Sequence, residues 1–121
     1  MEELYTVNGI VVRGEARGKD LGFPTANIAL NTEIPEGIYA SDVTVDGKMY
    51  HAASFVGSAK TFENVDVKLE SYILDFHQDL YGKKIIVKLY KKIRENMKFD
   101  SVEELVEQMK KDVDEIIEFF V

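Results

Sequence analysis

The chain has 121 residues, 45% of them hydrophobic and 31% charged, which is the size and mix of a single soluble domain with one core. No apolar run approaches the ~20 residues of a membrane helix, and no basic-then-apolar leader opens the sequence. With no cysteine and only His51 and His77 as imidazoles, disulfides, thiolate metal sites and cysteine catalysis are excluded, and a net charge of −7 argues against a general nucleic-acid binder.

The first element, 5–13, is β-branched and reads as a strand. Residues 14–27 (GEARGKDLGFPTAN) are too glycine-rich for regular structure and read as a long functional loop. Two strands, 38–45 and 49–56, flank Val45-Asp46-Gly47-Lys48, whose Asp-Gly pair predicts a type I′ hairpin turn. Residues 65–76 form another strand and 78–82 a turn. A further strand, 83–93, places Ile85, Val87, Leu89 and Ile93 on one face and Lys88 and Lys92 on the other.

The period then changes. Val102, Leu105, Val106, Met109, Val113, Ile116, Ile117 and Phe120 recur at three- and four-residue steps, an amphipathic helix over about 101–119. Ser101 and Glu104 have capping-box spacing and mark its start. Five or so strands followed by one helix predict a small barrel or curled sheet, about 5–99, with the helix packed against it and its apolar stripe facing the core. Charge is uneven: 83–98 carries seven basic residues and one acidic, 99–121 two basic and eight acidic. A solvated strand beside a solvated helix accounts for this; the sharper alternative is basic residues facing an anionic ligand.

Three places could carry chemistry. In the 14–27 loop, Gly14, Gly18 and Gly22 let backbone amides approach an anion, and Arg17 and Lys19 add positive charge. Gly9 and Gly14 have P-loop spacing, but Glu15-Ala16 follows where Lys-Ser/Thr would be required. Pro24 stiffens the chain where Thr25 and Asn27 share one face at i and i+2. Their oxygens are hard ligands suited to Mg²⁺ beside phosphate; ordinary turn hydrogen bonds are the plain alternative. Glu70 lies mid-strand on a face with Tyr72, Leu74 and Phe76, either as a partly desolvated general base or as a solvent-facing carboxylate beside Lys68. Arg94 and Phe99 flank a short irregular link, as a guanidinium and ring for a planar ligand or as a surface charge and a hydrophobic staple.

Taken in order, these pieces resemble the riboflavin kinase family, the flavokinase module that also forms the C-terminal half of bacterial bifunctional FAD synthetases. The resemblance runs from about Val7 to Val113. It rests on Gly9-Ile10-Val11-Val12-Arg13-Gly14, Arg17-Gly18, Leu21-Gly22-Phe23-Pro24-Thr25-Ala26-Asn27 and Pro35-Glu36-Gly37-Ile38-Tyr39-Ala40. Glu70 with Ile73-Leu74-Asp75-Phe76, Asp79-Leu80-Tyr81-Gly82-Lys83, Ile93-Arg94 and Lys98-Phe99-Asp100-Ser101 complete it.

The resemblance implies a mainly β fold, a six-stranded Greek-key closed barrel with a C-terminal α-helix. It implies transfer of the γ-phosphoryl of ATP to the 5′-hydroxyl of riboflavin, giving FMN and ADP, in the cytoplasm, with no nucleic-acid or membrane partner. The same fold as a non-catalytic flavin- or nucleotide-binding module is the alternative. By resemblance Thr25 and Asn27 would hold Mg²⁺, and Glu70 would be the catalytic base. Gly14, Arg17, Gly18, Lys19, Pro24, Thr25, Asn27, Ile73, Asp75 and Tyr81 would form the ATP site. Arg94, Met97 and Phe99 would contact the flavin with Glu70. The chain would be either a free-standing kinase or a module fused to or partnered with an FMN adenylyltransferase domain. It departs from the family's pattern at Ala16, at Phe55 and Lys60 (Asn and Pro in the usual N-I-G-x-x-P-T-F) and at Glu95 (Pro in I-R-P-E). These changes bear on flavin affinity, loop stiffness and substrate preference.

Overall fold

A computed structural model describes residues 2–13, 25–30, 32–60 and 65–121. Gly14, Arg17, Gly18, Lys19 and Pro24, with the rest of the first glycine loop, lie outside the described residues, as does the side chain of Lys60.

Among the described residues six strands are followed by one helix: β1 (Tyr5–Ile10), β2 (Ala26–Ala29), β3 (Gly37–Val45), β4 (Lys48–Lys60), β5 (Val65–Ile73), β6 (Lys84–Arg94) and α1 (Val102–Phe120). The pairings among the described residues are all antiparallel, in the order β1-β6-β3-β4-β5-β2. Strands β3, β4 and β5 form a meander, and β2 returns to lie beside β5, which is a Greek-key connection. The two outer strands meet: Val12 N–H donates to the Asn27 carbonyl at 2.8 Å and forms a bridge there. The sheet is thus a nearly closed barrel, which leaves little edge for another chain to pair with.

Inside, alternate residues of each strand form one apolar core, including Tyr39, Val43, Val56, Leu69, Val87 and Leu89. Three hydroxyls interrupt it and satisfy one another. Ser41 Oγ donates to the Ala52 carbonyl at 2.9 Å, and Ser41–Ser54 and Ser54–Ser71 are linked at 2.6 and 2.8 Å. A buried hydroxyl without a partner would be costly; a closed chain of them is not.

The Asp46-Gly47 turn has positive φ at both residues, 51° and 80°, as a type I′ turn requires. Other expectations need correcting. Ala26 and Asn27, read as loop, belong to β2; four residues, Ala-Asn-Ile-Ala, are too few to show a period. The strand expected to reach Phe76 ends at Ile73, because the chain turns at Asp75 with φ 55°. In β6 the alternation holds through Leu89 and then breaks. Two one-residue register shifts against β3 leave Tyr90 and Ile93 without an opposite residue. Lys88 pairs with Asp42 and Lys92 with Tyr39, so these lysines do not share a face.

Helix α1 starts where expected. Ser101 Oγ accepts from Glu104 N–H at 3.1 Å, and Glu104 Oε2 accepts from Asp100 N–H at 3.2 Å. Its stripe does not enter the barrel; it packs across the outer surface of β4, β3 and β6. The C-terminal half sits tightly: Ile116 is fully buried, and the Phe120 ring stacks on His51 at 3.9 Å, edge-on to Tyr90. Val102 and Ile117, counted with the stripe, are about half exposed. Among the described residues no helix is long and apolar enough to cross a membrane.

Candidate functional site

The N-terminal half of α1 stands away from the barrel and roofs a cavity of about 770 Å³. Its floor is the outer face of the sheet, with Ile38, Ala53, Phe55, Glu70 and Tyr72. Met97, Lys98 and Phe99, from the link between β6 and α1, form one wall. Leu105, Met109 and Val113 form the roof. Thr25 lies at one end; Arg94 and Asp112 also border the space.

Glu70 reaches this cavity because a strand alternates its side chains. Its neighbours Leu69 and Ser71 are buried inside the barrel, so Glu70 is turned outward and is half-buried. The register places it opposite Asn27 of β2 on one side and Phe55 of β4 on the other. The row continues: Phe55 is opposite Ile38, and Ile38 opposite Arg94. Asn27, Glu70, Phe55, Ile38 and Arg94 therefore cross five neighbouring strands in one line. With strands ~4.8 Å apart, Glu70 and Arg94 are separated by roughly 14 Å along the sheet.

Thr25 and Asn27 share a face at one end of this line. Asn27 is buried, and its Nδ2 lies 3.4 Å from the Thr25 carbonyl and 3.5 Å from Thr25 Oγ1. Its Oδ1 is buried with no hydrogen-bond partner among the described residues. A buried acceptor left open is a place for a donor or a cation. Nδ2 faces both Thr25 oxygens, which fixes the amide orientation and leaves Oδ1 as the open acceptor. Two hard oxygens beside a carboxylate fit Mg²⁺, which takes few protein ligands and completes its shell with water and phosphate. Among the described residues no cluster of three or more His, Asp or Glu side chains offers a rival metal site.

The opposite end is built around an ion pair. Arg94 Nε and Nη2 donate to Asp112 Oδ1 and Oδ2 at 2.8 and 2.7 Å, and Gln108 Nε2 donates to Oδ1 at 3.0 Å. Arg94 Nη1 donates to the Glu95 carbonyl at 2.9 Å. Where proline would stiffen the link, polar ties hold it instead. Lys92 pairs with Glu95 at 2.5 Å, and Asn96 Nδ2 donates to the Val56 carbonyl at 3.3 Å. The Phe55 ring lies over Gly57, where a Cβ would collide with it, so the missing side chain lets the ring lie flat on the strand.

Thr25, Asn27, Glu70, Arg94, Met97 and Phe99 are thus brought to one cavity or its edge. Three other residues are not. Ile73 is 6% exposed and belongs to the barrel core, because its parity in β5 turns it inward. Asp75 is exposed at the positive-φ position after the strand. Tyr81 is exposed beneath the Arg13 guanidinium, 4.2 Å from its ring centroid, and does not border this cavity. Asp112 was not singled out from the sequence, although a signal existed. It is an acidic residue between Met109, Val113 and Ile116 on the apolar side of the helix.

The chain is similar in sequence and fold to known proteins. A Bacillus subtilis bifunctional riboflavin kinase/FMN adenylyltransferase is 38% identical over 122 residues, covering 96% of this chain and 39% of that protein. A Streptococcus pneumoniae crystal structure described as a macrolide-efflux protein superposes with a TM-score of 0.84 and 40% identity, over 90% of this chain and 37% of that one. A Trypanosoma brucei riboflavin kinase superposes with a TM-score of 0.68 and 28% identity, over 94% of this chain and 78% of that one. The chain spans less than half the length of the curated relatives it matches. The family model for riboflavin kinase matches residues 1–120, and by that match the chain belongs to the riboflavin kinase family.

Proposed function

We propose that the chain is an ATP:riboflavin 5′-phosphotransferase, giving FMN and ADP. The observation that carries this reading is the convergence of Glu70, Asn27 and Thr25 at one end of a cavity whose remaining walls are largely apolar and aromatic. A charged group-transfer end beside an apolar slot suits a substrate with a hydroxylated tail and a flat heterocycle.

Glu70 accepts the proton of the ribityl hydroxyl as its oxygen attacks the γ-phosphorus, and the bond to the β-phosphate oxygen breaks to leave ADP. Thr25 and Asn27 would hold Mg²⁺, which when bound neutralises charge on the phosphates. Phosphoryl transfer needs mostly alignment and charge compensation, so a carboxylate fixed on a strand is well suited to orient the hydroxyl. Met97 and Phe99 shield the heterocycle from water, and α1 closes the space above it. Such an enzyme works in the cytoplasm, where ATP is available, beside an FMN adenylyltransferase domain or partner that consumes its product.

The test is product formation with riboflavin, ATP and Mg²⁺. FMN and ADP appearing in equal amounts supports the reading, and their absence overturns it. Thr25→Ala should weaken Mg²⁺-ATP binding, measured by calorimetry, far more than riboflavin binding alone. Equal losses on both would remove Thr25 from the metal end.

A further inference from the structure

We infer that Asp112 is a positioning residue for the heterocycle end of the cavity. It fixes the plane of the Arg94 guanidinium and offsets its charge. This inference rests on the riboflavin kinase reading and adds a residue and a reason for substrate orientation to it.

Four observations carry it. First, Asp112 is the one charged residue buried in α1, with 7% of its side chain exposed, and Arg94 is nearly as enclosed at 17%. Second, the two are joined as a planar fork with both carboxylate oxygens engaged, and Gln108 adds a third bond to the carboxylate. Third, Arg94 also holds the Glu95 carbonyl, so one guanidinium joins the helix, the end of β6 and the start of the link that carries Met97 and Phe99. Fourth, Arg94 lies in the same cross-strand row as Glu70, three strands away.

The chemistry follows from counting donors. A guanidinium has five N–H groups, and three are used here, by Asp112 twice and Glu95 once. Among the described residues one N–H on each terminal nitrogen has no partner, and Arg94 borders the cavity. Because Asp112 offsets the charge, these two donors suit neutral acceptors, such as ring carbonyls and ring nitrogens, better than a phosphate. The phosphoryl chemistry then stays at the Glu70 end, and a bound molecule has one sensible direction. Stability alone is a weak reason for such a pair, since buried ion pairs replaced by well-packed apolar residues often lose nothing.

The experiment compares the wild-type chain, Asp112→Asn and Asp112→Glu in the same assay. It reads the KM for riboflavin, the KM for ATP, kcat, and riboflavin affinity by quenching of flavin fluorescence. Asp112→Asn should raise the riboflavin KM and dissociation constant about tenfold, more than it lowers kcat and with little change in the KM for ATP. Asp112→Glu should recover part of the loss. A melting-temperature drop without the selective riboflavin effect would overturn the inference, because any buried charge gives such a drop. Should Asp112→Asn not fold, Arg94→Lys, which keeps the charge and loses the planar fork, should show the same selective rise. A riboflavin KM unchanged in the folded variant, or equal rises for riboflavin and ATP, would overturn the inference while leaving the kinase reading intact. A wild-type chain that makes no FMN would overturn both.

Discussion

Glu70 shows what a single residue owes to its strand. Glutamate is a poor strand former, yet here it stands between two buried neighbours with its carboxylate turned to a half-open cavity. Its parity with Tyr72 was legible in the sequence, whereas the residues opposite it, Asn27 and Phe55, were not, because cross-strand register is a long-range property. Phe55 occupies the cavity floor only because Gly57 leaves room for its ring. Gly57→Ala should therefore displace the ring and weaken riboflavin binding several-fold with little loss of melting temperature; unchanged binding in fluorescence titration would remove Phe55 from the binding wall. Elsewhere, burial and the hydrogen bond to Asp42 push the Tyr90 hydroxyl up to about 12. An unfolded tyrosine titrates near 10, so the folded state holds its proton longer. This contribution to stability is complete below pH 10 and is lost as pH rises towards 12. Denaturant midpoints measured across that window should fall for the wild type, and less steeply for Tyr90→Phe.

At the scale of elements, the sequence was most readable where structure is set by neighbours in the chain. Asp46-Gly47 specifies its turn through φ values that only a few residues tolerate, and Ser101 with Glu104 specifies a helix start through local hydrogen bonds. Strand β2 escaped notice because its four residues are defined by pairing with β5 and not by a pattern of their own. The breaks in β6 escaped for the same reason: each is a mismatch between two strands, invisible in either one. The helix was legible as amphipathic, but half of its stripe covers a cavity and does not pack on the sheet. Ser101→Ala should cost about 1 kcal/mol, the usual value of a lost N-cap, read from denaturant unfolding. Because that end of the helix lies over the cavity, the same substitution should also loosen riboflavin binding. A stability loss with unchanged binding would mean that the roof does not depend on the cap.

For the whole molecule, the barrel separates two apolar spaces with different purposes. The interior is filled by interlocking side chains and a satisfied serine chain, and it supplies rigidity. The outer space, between sheet and helix, is left open and has a polar residue set at each end. Residue types at both ends were legible as motifs, Thr25 and Asn27 at one and Arg94 with Phe99 at the other. Their alignment across five strands needed the fold, and Asp112 needed the helix to be seen against β6. If this space is the substrate site, riboflavin and Mg²⁺-ATP should each raise the melting temperature, since both bind only the folded chain.

The most direct measurement compares the wild-type chain with Glu70→Gln, recording riboflavin binding by fluorescence and FMN formation by chromatography in parallel. The variant keeps the shape of the side chain and removes its ability to take a proton. Near-normal riboflavin binding with FMN formation reduced by at least about a hundredfold, the lower end of what a general base contributes, is the expected result. FMN formation at close to the wild-type rate would contradict the assignment of Glu70 and, with it, the account of how this cavity performs the transfer.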